Sequence, residues 1–168
     1  LHYSSRRQRQ MCIRDRKAYN GVAMVSREAL EDVRCGFIGE LPDDSDARTL
    51  SEQKRVISAR LDGVRVLNLY VPNGSGLKSE KYPYKLSWLA CLRRYLDAQA
   101  ERGEPLCMVG DFNIAMEARD IHDPDRLTGG IMASSAEREA LKAALGDRLQ
   151  DVFPVSYTHL RAHETSID

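Results

Sequence analysis

RVISARL-DG-VRVLNLYV, residues 55–71, decides the fold class. Two runs rich in β-branched residues flank Asp62-Gly63, a dipeptide that strongly marks a two-residue hairpin turn. In the second run Leu67, Leu69 and Val71 alternate with Val64, Val66 and Tyr70. Both faces are apolar, so this strand is expected inside a sheet that is covered on both sides. Upstream, GVAMVS (21–26) reads as a short buried strand and the acidic stretch 43–48 as a loop. Downstream, the turn-rich PNGSG (72–76) leads into 84–102, where Leu86, Leu89, Leu92 and Leu96 recur every three or four residues. That spacing predicts an amphipathic helix, ended by Gly103 and Pro105. LCMV (106–109) is expected to be another buried strand, and 117–130 a long polar loop. A second helix is expected over 135–145, with Ser134 or Ser135 as N-cap and Gly146 past its end. Residues 151–153 open a further strand. Hairpin, crossover helix, strand and helix in that order predict a mixed α/β fold.

The 168 residues carry 25 Lys plus Arg against 25 Asp plus Glu, and 42% are hydrophobic, which suits one globular domain. No apolar run approaches the ~20 residues of a membrane span, and the start does not read as a signal peptide. A cytoplasmic, monomeric protein without a membrane is the expectation. Cys12, Cys35, Cys91 and Cys107 lack C-x-x-C spacing and read as reduced thiols, mostly buried. Zero net charge conceals an asymmetry of +4 in residues 1–16, so bulk charge gives no argument for nucleic-acid binding.

The chemistry concentrates at VGDFN, 109–113. A strand that ends in glycine and presents Asp111 and Asn113 two positions apart aims both to one side, with Phe112 turned into the core. A carboxylate beside a carboxamide can hold a water, the Asp accepting its proton or supporting a metal. The alternative is an Asx turn after a strand. Tyr70, before the turn at 72–74, offers a hydroxyl that can donate to a phosphate oxygen, or else a core tyrosine with its hydroxyl satisfied. Lys78, Lys81 and Lys85 with Tyr82 and Tyr84 form a basic, aromatic segment suited to a phosphate backbone, or equally a solvated helix start. His122 among Asp120, Asp123 and Asp125 has irregular spacing and reads as part of a solvated loop.

Taken together, YVPNG (70–74), the K-Y-P-x-K of 81–85 and VGDFNIA (109–115) resemble the exodeoxyribonuclease III family of abasic-site endonucleases, within the endonuclease, exonuclease and phosphatase superfamily. NGVAMVS (20–26), the strand at 55–60, DIHDPDR (120–126) and SSAEREAL (134–141) fit it too, so the likeness covers about 17–153. The resemblance implies a four-layer α/β/β/α sandwich, incomplete in this chain. It also implies phosphodiester hydrolysis dependent on Mg²⁺ or Mn²⁺, acting on double-stranded DNA at abasic sites and 3′ ends. By motif, Asp111 would orient or deprotonate the attacking water, Asn113 would steady it, and Tyr70 would contact the phosphate. Asn73, Lys81 and Lys85 become substrate-side residues, and Asp111 and Asn113 potential metal ligands. Two other readings stay open: a non-catalytic nucleic-acid-binding or scaffold domain, and a phosphatase or lipid phosphodiesterase of the same superfamily.

The ends depart from this pattern. Residues 1–16 and 154–168, with MCIRDR and SYTHLRAHET, resemble translated sequencing-adapter read-through and are expected to be non-native tails around a partial nuclease domain at 17–153. The family's metal-binding Glu and closing Asp-His have no counterparts, and His163 and Glu164 in the tail do not replace them. The chain as written is therefore expected to be inactive.

Overall fold

The computed structural model describes residues 10–14 and 21–152. The strands are β1 (Gln10–Arg14), β2 (Val22–Ser26), β3 (Glu31–Cys35), β4 (Val56–Leu61), β5 (Val64–Tyr70) and β6 (Leu106–Asp111). The helices are α1 (Ser45–Ser51), α2 (Lys81–Glu101), α3 (Pro124–Leu127) and α4 (Ser135–Leu145). One sheet has the order β3-β4-β5-β6, antiparallel except for the parallel β5-β6 pair, and β1-β2 form a second, antiparallel sheet.

The hairpin forms as its turn dictates. Leu61 pairs with Val64, and Asp62 and Gly63 both take positive φ (49° and 77°), the type I′ geometry that matches strand twist. β5 lies inside the sheet, as expected. Leu67 and Leu69 point to the helices, where Trp88, Leu89, Leu92, Tyr95 and Leu96 of α2 and Leu141 of α4 bury them. Trp88 and Tyr95, outside the leucine stripe, stack edge-on against Phe37 at 5.1 and 5.6 Å. Fully burying side chains of this size contributes about 1.5–3 kcal/mol each. On the other face Val66 and Tyr70 pack with Ile57 and Ala59 against Val22 and Met24 of β2. Helices, four-stranded sheet and two-stranded sheet make three of the four layers that the resemblance implies.

Several expectations are corrected. The 43–48 segment is not all loop: Asp44 Oδ1 accepts the Ala47 N–H at 2.9 Å and starts α1, a seven-residue helix too short to show a period. β6 is not buried. It is an edge strand among the described residues, and Cys107 and Val109 are exposed on its face away from the helices. Of the other described thiols Cys91 is buried, its pKa pushed by burial to about 12, and Cys35 is half-buried. Asp151 and Val152 form no strand, while Phe153 and the 154–168 tail lie outside the described residues. Within 1–16, Gln10–Arg14 pairs with β2 from Gln10↔Ser26 to Arg14↔Val22. Its apolar run of three residues between polar neighbours gave no period to read. Among the described residues no helix is long and apolar enough to cross a membrane.

Arg65 is the strangest core residue: it sits on the helix-facing side of β5, wholly buried. Its guanidinium donates to the Asp32 carbonyl (2.9 Å), Asp32 Oδ2 (2.5 Å) and Glu104 (3.2 Å). Asp32 also accepts from Arg34, and these two arginines, Arg34 foremost, hold its carboxyl well below the ordinary aspartate value of 3.8. A depressed folded value means stabilisation that is present above 3.8 and lost as pH falls from there through the folded value. Asp32→Asn is therefore expected to be less stable than wild type at pH 7 and to lose less stability between about pH 4 and pH 2. Urea midpoints across that range check this, and parallel profiles for the two proteins would refute it.

Candidate active site

Tyr70 ends β5 and Asp111 ends β6, and the parallel register sets the two side by side. Carboxyl ends of adjacent parallel strands are where open α/β sheets bind ligands, because the loops diverge there. The ladder runs one step further, with Val71 N–H donating to the Asp111 carbonyl at 2.8 Å. Gly110, with φ of 128°, lets β6 approach β5 immediately before Asp111.

At Asp111 the extended chain stops, and Asn113 takes a left-handed φ of 48°. Its backbone N–H donates to Asp111 Oδ1 (3.0 Å), forming an Asx turn, while its Nδ2 donates to the Val71 carbonyl (3.0 Å). The alternation argument therefore fails past Asp111: Asp111 is exposed, and Asn113 folds back, half-buried, across the end of β5. Phe112 joins the helix-side core as expected.

Tyr70 is held from the hairpin's other arm. Arg55 accepts the Tyr70 N–H through its carbonyl (2.9 Å), and its guanidinium carbon lies 4.9 Å from the Tyr70 ring centroid. Arg55 Nε is buried with no hydrogen-bond partner among the described residues. Tyr70, Arg55, Asn73 and Lys81 line one open cleft of about 360 Å³, with Gln53 and Tyr84 at its sides. Asn73 and Lys81 are exposed there, and Lys78 is exposed nearby. His122 sits exposed in the 121–123 bend, as a solvated loop residue.

Lys85 is not a surface contact. Its side chain is wholly buried, and its ammonium donates to Glu137 (2.6 Å), the Asn113 carbonyl (2.7 Å) and the Asn73 carbonyl (3.5 Å). An ammonium enclosed in this way cannot meet DNA, which corrects its expected substrate-side role. Burial pulls the Lys85 pKa down against the pull of Glu137. In Glu137 the raising effect of burial is outweighed by bonds from Lys85 and Ser134, so its carboxyl stays below the ordinary value.

The divalent ion implied by the resemblance needs several oxygen ligands, typically six to eight for Ca²⁺ and an octahedron for Mg²⁺. Among the described residues no three His, Cys, Asp or Glu side chains gather to hold one. Asp111 belongs to no such group among the described residues, and Asn113 turns its amide to Val71. Among the described residues, the pair expected as metal ligands is thus not joined by further ligands into a metal site.

Two site residues escaped the sequence reading. Arg55 was legible in principle: counting back from the Leu61–Val64 pair puts it opposite Tyr70. Glu137 was visible only as the third residue of a capping box on Ser134, which it forms. Nothing in the sequence ties it to Lys85, 52 residues away.

The chain is 28% identical over 144 residues to the exodeoxyribonuclease of Bacillus subtilis, covering 83% of this chain and 53% of that protein. Its structure resembles the 3′-5′ exonuclease NExo of Neisseria meningitidis, with a TM-score of 0.71 and 39% identity over 82% of this chain and 50% of that one. An AP endonuclease from Archaeoglobus fulgidus gives a TM-score of 0.70 and 35% identity, again over 82% and 50%. The chain spans about half the length of these relatives. The sequence model of the Endonuclease/Exonuclease/phosphatase family, whose nucleases depend on divalent metal, matches residues 2–163, and the chain belongs to that family.

Proposed function

We propose that this chain carries the phosphate-facing part of a DNA repair phosphodiesterase of the exodeoxyribonuclease III type. The parent enzyme hydrolyses DNA on the 5′ side of abasic sites and trims 3′ ends. The observation that carries the reading is the side-by-side termination of β5 at Tyr70 and β6 at Asp111, beside a cleft with Arg55, Asn73 and Lys81 on its walls. An exposed carboxylate in this position accepts the proton of an attacking water, and the Asx turn with Asn113 fixes its direction. The Tyr70 hydroxyl donates to a phosphate oxygen, and the Arg55 guanidinium over its ring limits the ring's motion. Asn73 and Lys81 face the flanking backbone, where Lys81 offers charge rather than sequence readout. Mg²⁺ or Mn²⁺ is the metal of this reading, and the described residues do not by themselves provide its ligand set.

Binding tests this without requiring a complete metal site. The probe is a fluorescent duplex containing a tetrahydrofuran abasic analogue, titrated in EDTA by anisotropy. Wild type is expected to prefer it to the intact duplex. Asp111→Asn keeps the shape and removes a negative charge next to the phosphate. It is expected to bind about fivefold more tightly, the ~1 kcal/mol of one charge pair at ~4 Å in water. No preference for the abasic duplex and no effect of Asp111→Asn would refute the reading, and competition by a phosphomonoester or an inositol phospholipid headgroup instead would favour a phosphatase.

A further inference from the structure

We infer that Lys85 is a positioning residue for the candidate site, its buried ammonium tying the Asn73 loop and the Asn113 turn to the start of α4 through Glu137. This rests on the site reading above but makes a separate claim about what shapes it. Lys85 reaches the carbonyls of Asn73 and Asn113, and Glu137 holds the third ammonium bond. Those two carbonyls belong to the segments that follow Tyr70 and Asp111. Glu137 in turn accepts the N–H groups of Met132 (3.1 Å) and Ser134 (3.1 Å) and the Ser134 hydroxyl (2.7 Å). Tyr82 bonds that hydroxyl from α2 at 2.7 Å. The same anchor takes up the rest of the VGDFNIA segment: Ala115 N–H donates to the Met132 carbonyl (2.7 Å), and Arg138 Nε to the Ala115 carbonyl (2.8 Å).

A buried charge pair is seldom needed for stability alone, since apolar residues of like volume often serve as well. An ammonium with its donors on two site loops does what an apolar side chain cannot: it sets where both backbones lie. Asn73 and Asn113 hang from those backbones, which continue the strands that end at Tyr70 and Asp111, and a shift of about 1 Å is enough to cost such a site a hundredfold.

The deciding variant is Lys85→Met/Glu137→Leu, which removes both charges and keeps the volume. Two readouts are needed: amide ¹H–¹⁵N shifts of the variant chain, and its affinity for the abasic-analogue duplex in EDTA. The amides of Gly74 and Ile114, one residue past the tethered carbonyls, are expected to move far more than those of the β4-β5 hairpin. Affinity is expected to fall about tenfold. Unmoved Gly74 and Ile114 amides with wild-type affinity would overturn the proposal and leave the pair a structural one. If wild type itself fails to bind the duplex, the site reading falls while the amide shifts still decide the tether. Should the double variant not fold, Glu137→Gln is expected to move the same two amides by less, and no movement there would overturn the proposal equally.

Discussion

Gly110→Ala is expected to unfold the β6 edge of the sheet and to remove Asp111 from the side of Tyr70. A Cβ built on Gly110 would lie 1.9 Å from the Leu69 carbonyl oxygen and 2.9 Å from Asn68 Oδ1. Leu69 is its partner across the parallel ladder, so the obstacle is backbone and cannot rotate away. The φ of 128° adds a second penalty, because it lies where side chains bearing a Cβ rarely go. Strained φ and overpacking each cost about 1–3 kcal/mol, and here both act on one residue. A total of about 4 kcal/mol is a large share of the ~5–15 kcal/mol of a whole domain. Urea unfolding followed by tryptophan fluorescence reads this, since Trp88 is buried on the helix side of the same sheet. A midpoint near wild type would mean that β6 can separate from β5 without loss, and that the Tyr70–Asp111 pairing is not built into the fold.

The contrast between Gly110 and Arg65 separates what the sequence makes legible from what it hides. Local rules were sufficient wherever a few adjacent residues decide geometry. Asp62-Gly63 set a hairpin whose register puts Arg55 against Tyr70, and Ser134 with Glu137 capped a helix that ends at Gly146. The leucine spacing found α2 because 21 residues give its period room to repeat.

Local rules failed where the partner is distant. Arg65 occupies a position where alternation calls for an apolar side chain, and Asp32 and Glu104, on other elements, make its burial possible. Lys85 sits in a basic stretch that reads as surface, yet it faces inward because Glu137 waits there. The exposure of β6 was hidden for a related reason: an apolar run says that a strand can be buried, not what lies over it. For the candidate site, motif order pointed to Tyr70, Asp111 and Asn113, while their orientation needed the backbone. The positive φ at Asn113 turns its amide to Val71 rather than alongside the Asp111 carboxylate.

Glu137→Ala is expected to destabilise the chain by about 3–5 kcal/mol, the usual consequence of leaving one member of a buried ion pair behind. The Lys85 ammonium, with no solvent exposure, would keep its two carbonyl acceptors and lose its only anionic one among the bonds it makes. Met132 and Ser134 would lose their acceptor at the same time, and with it the capping box that starts α4. Lys85→Met should cost a similar amount from the other side, since it leaves a carboxylate buried among donors that only partly satisfy it. The two losses should not add. Removing both charges in Lys85→Met/Glu137→Leu takes away the uncompensated ion in each single variant, so much of the stability should return and the double-mutant cycle should show strong coupling. Urea midpoints of the four proteins measure it. If the double variant instead loses the sum of the two single costs, the two residues stabilise the chain independently, and the ammonium and carboxylate are not acting as a pair.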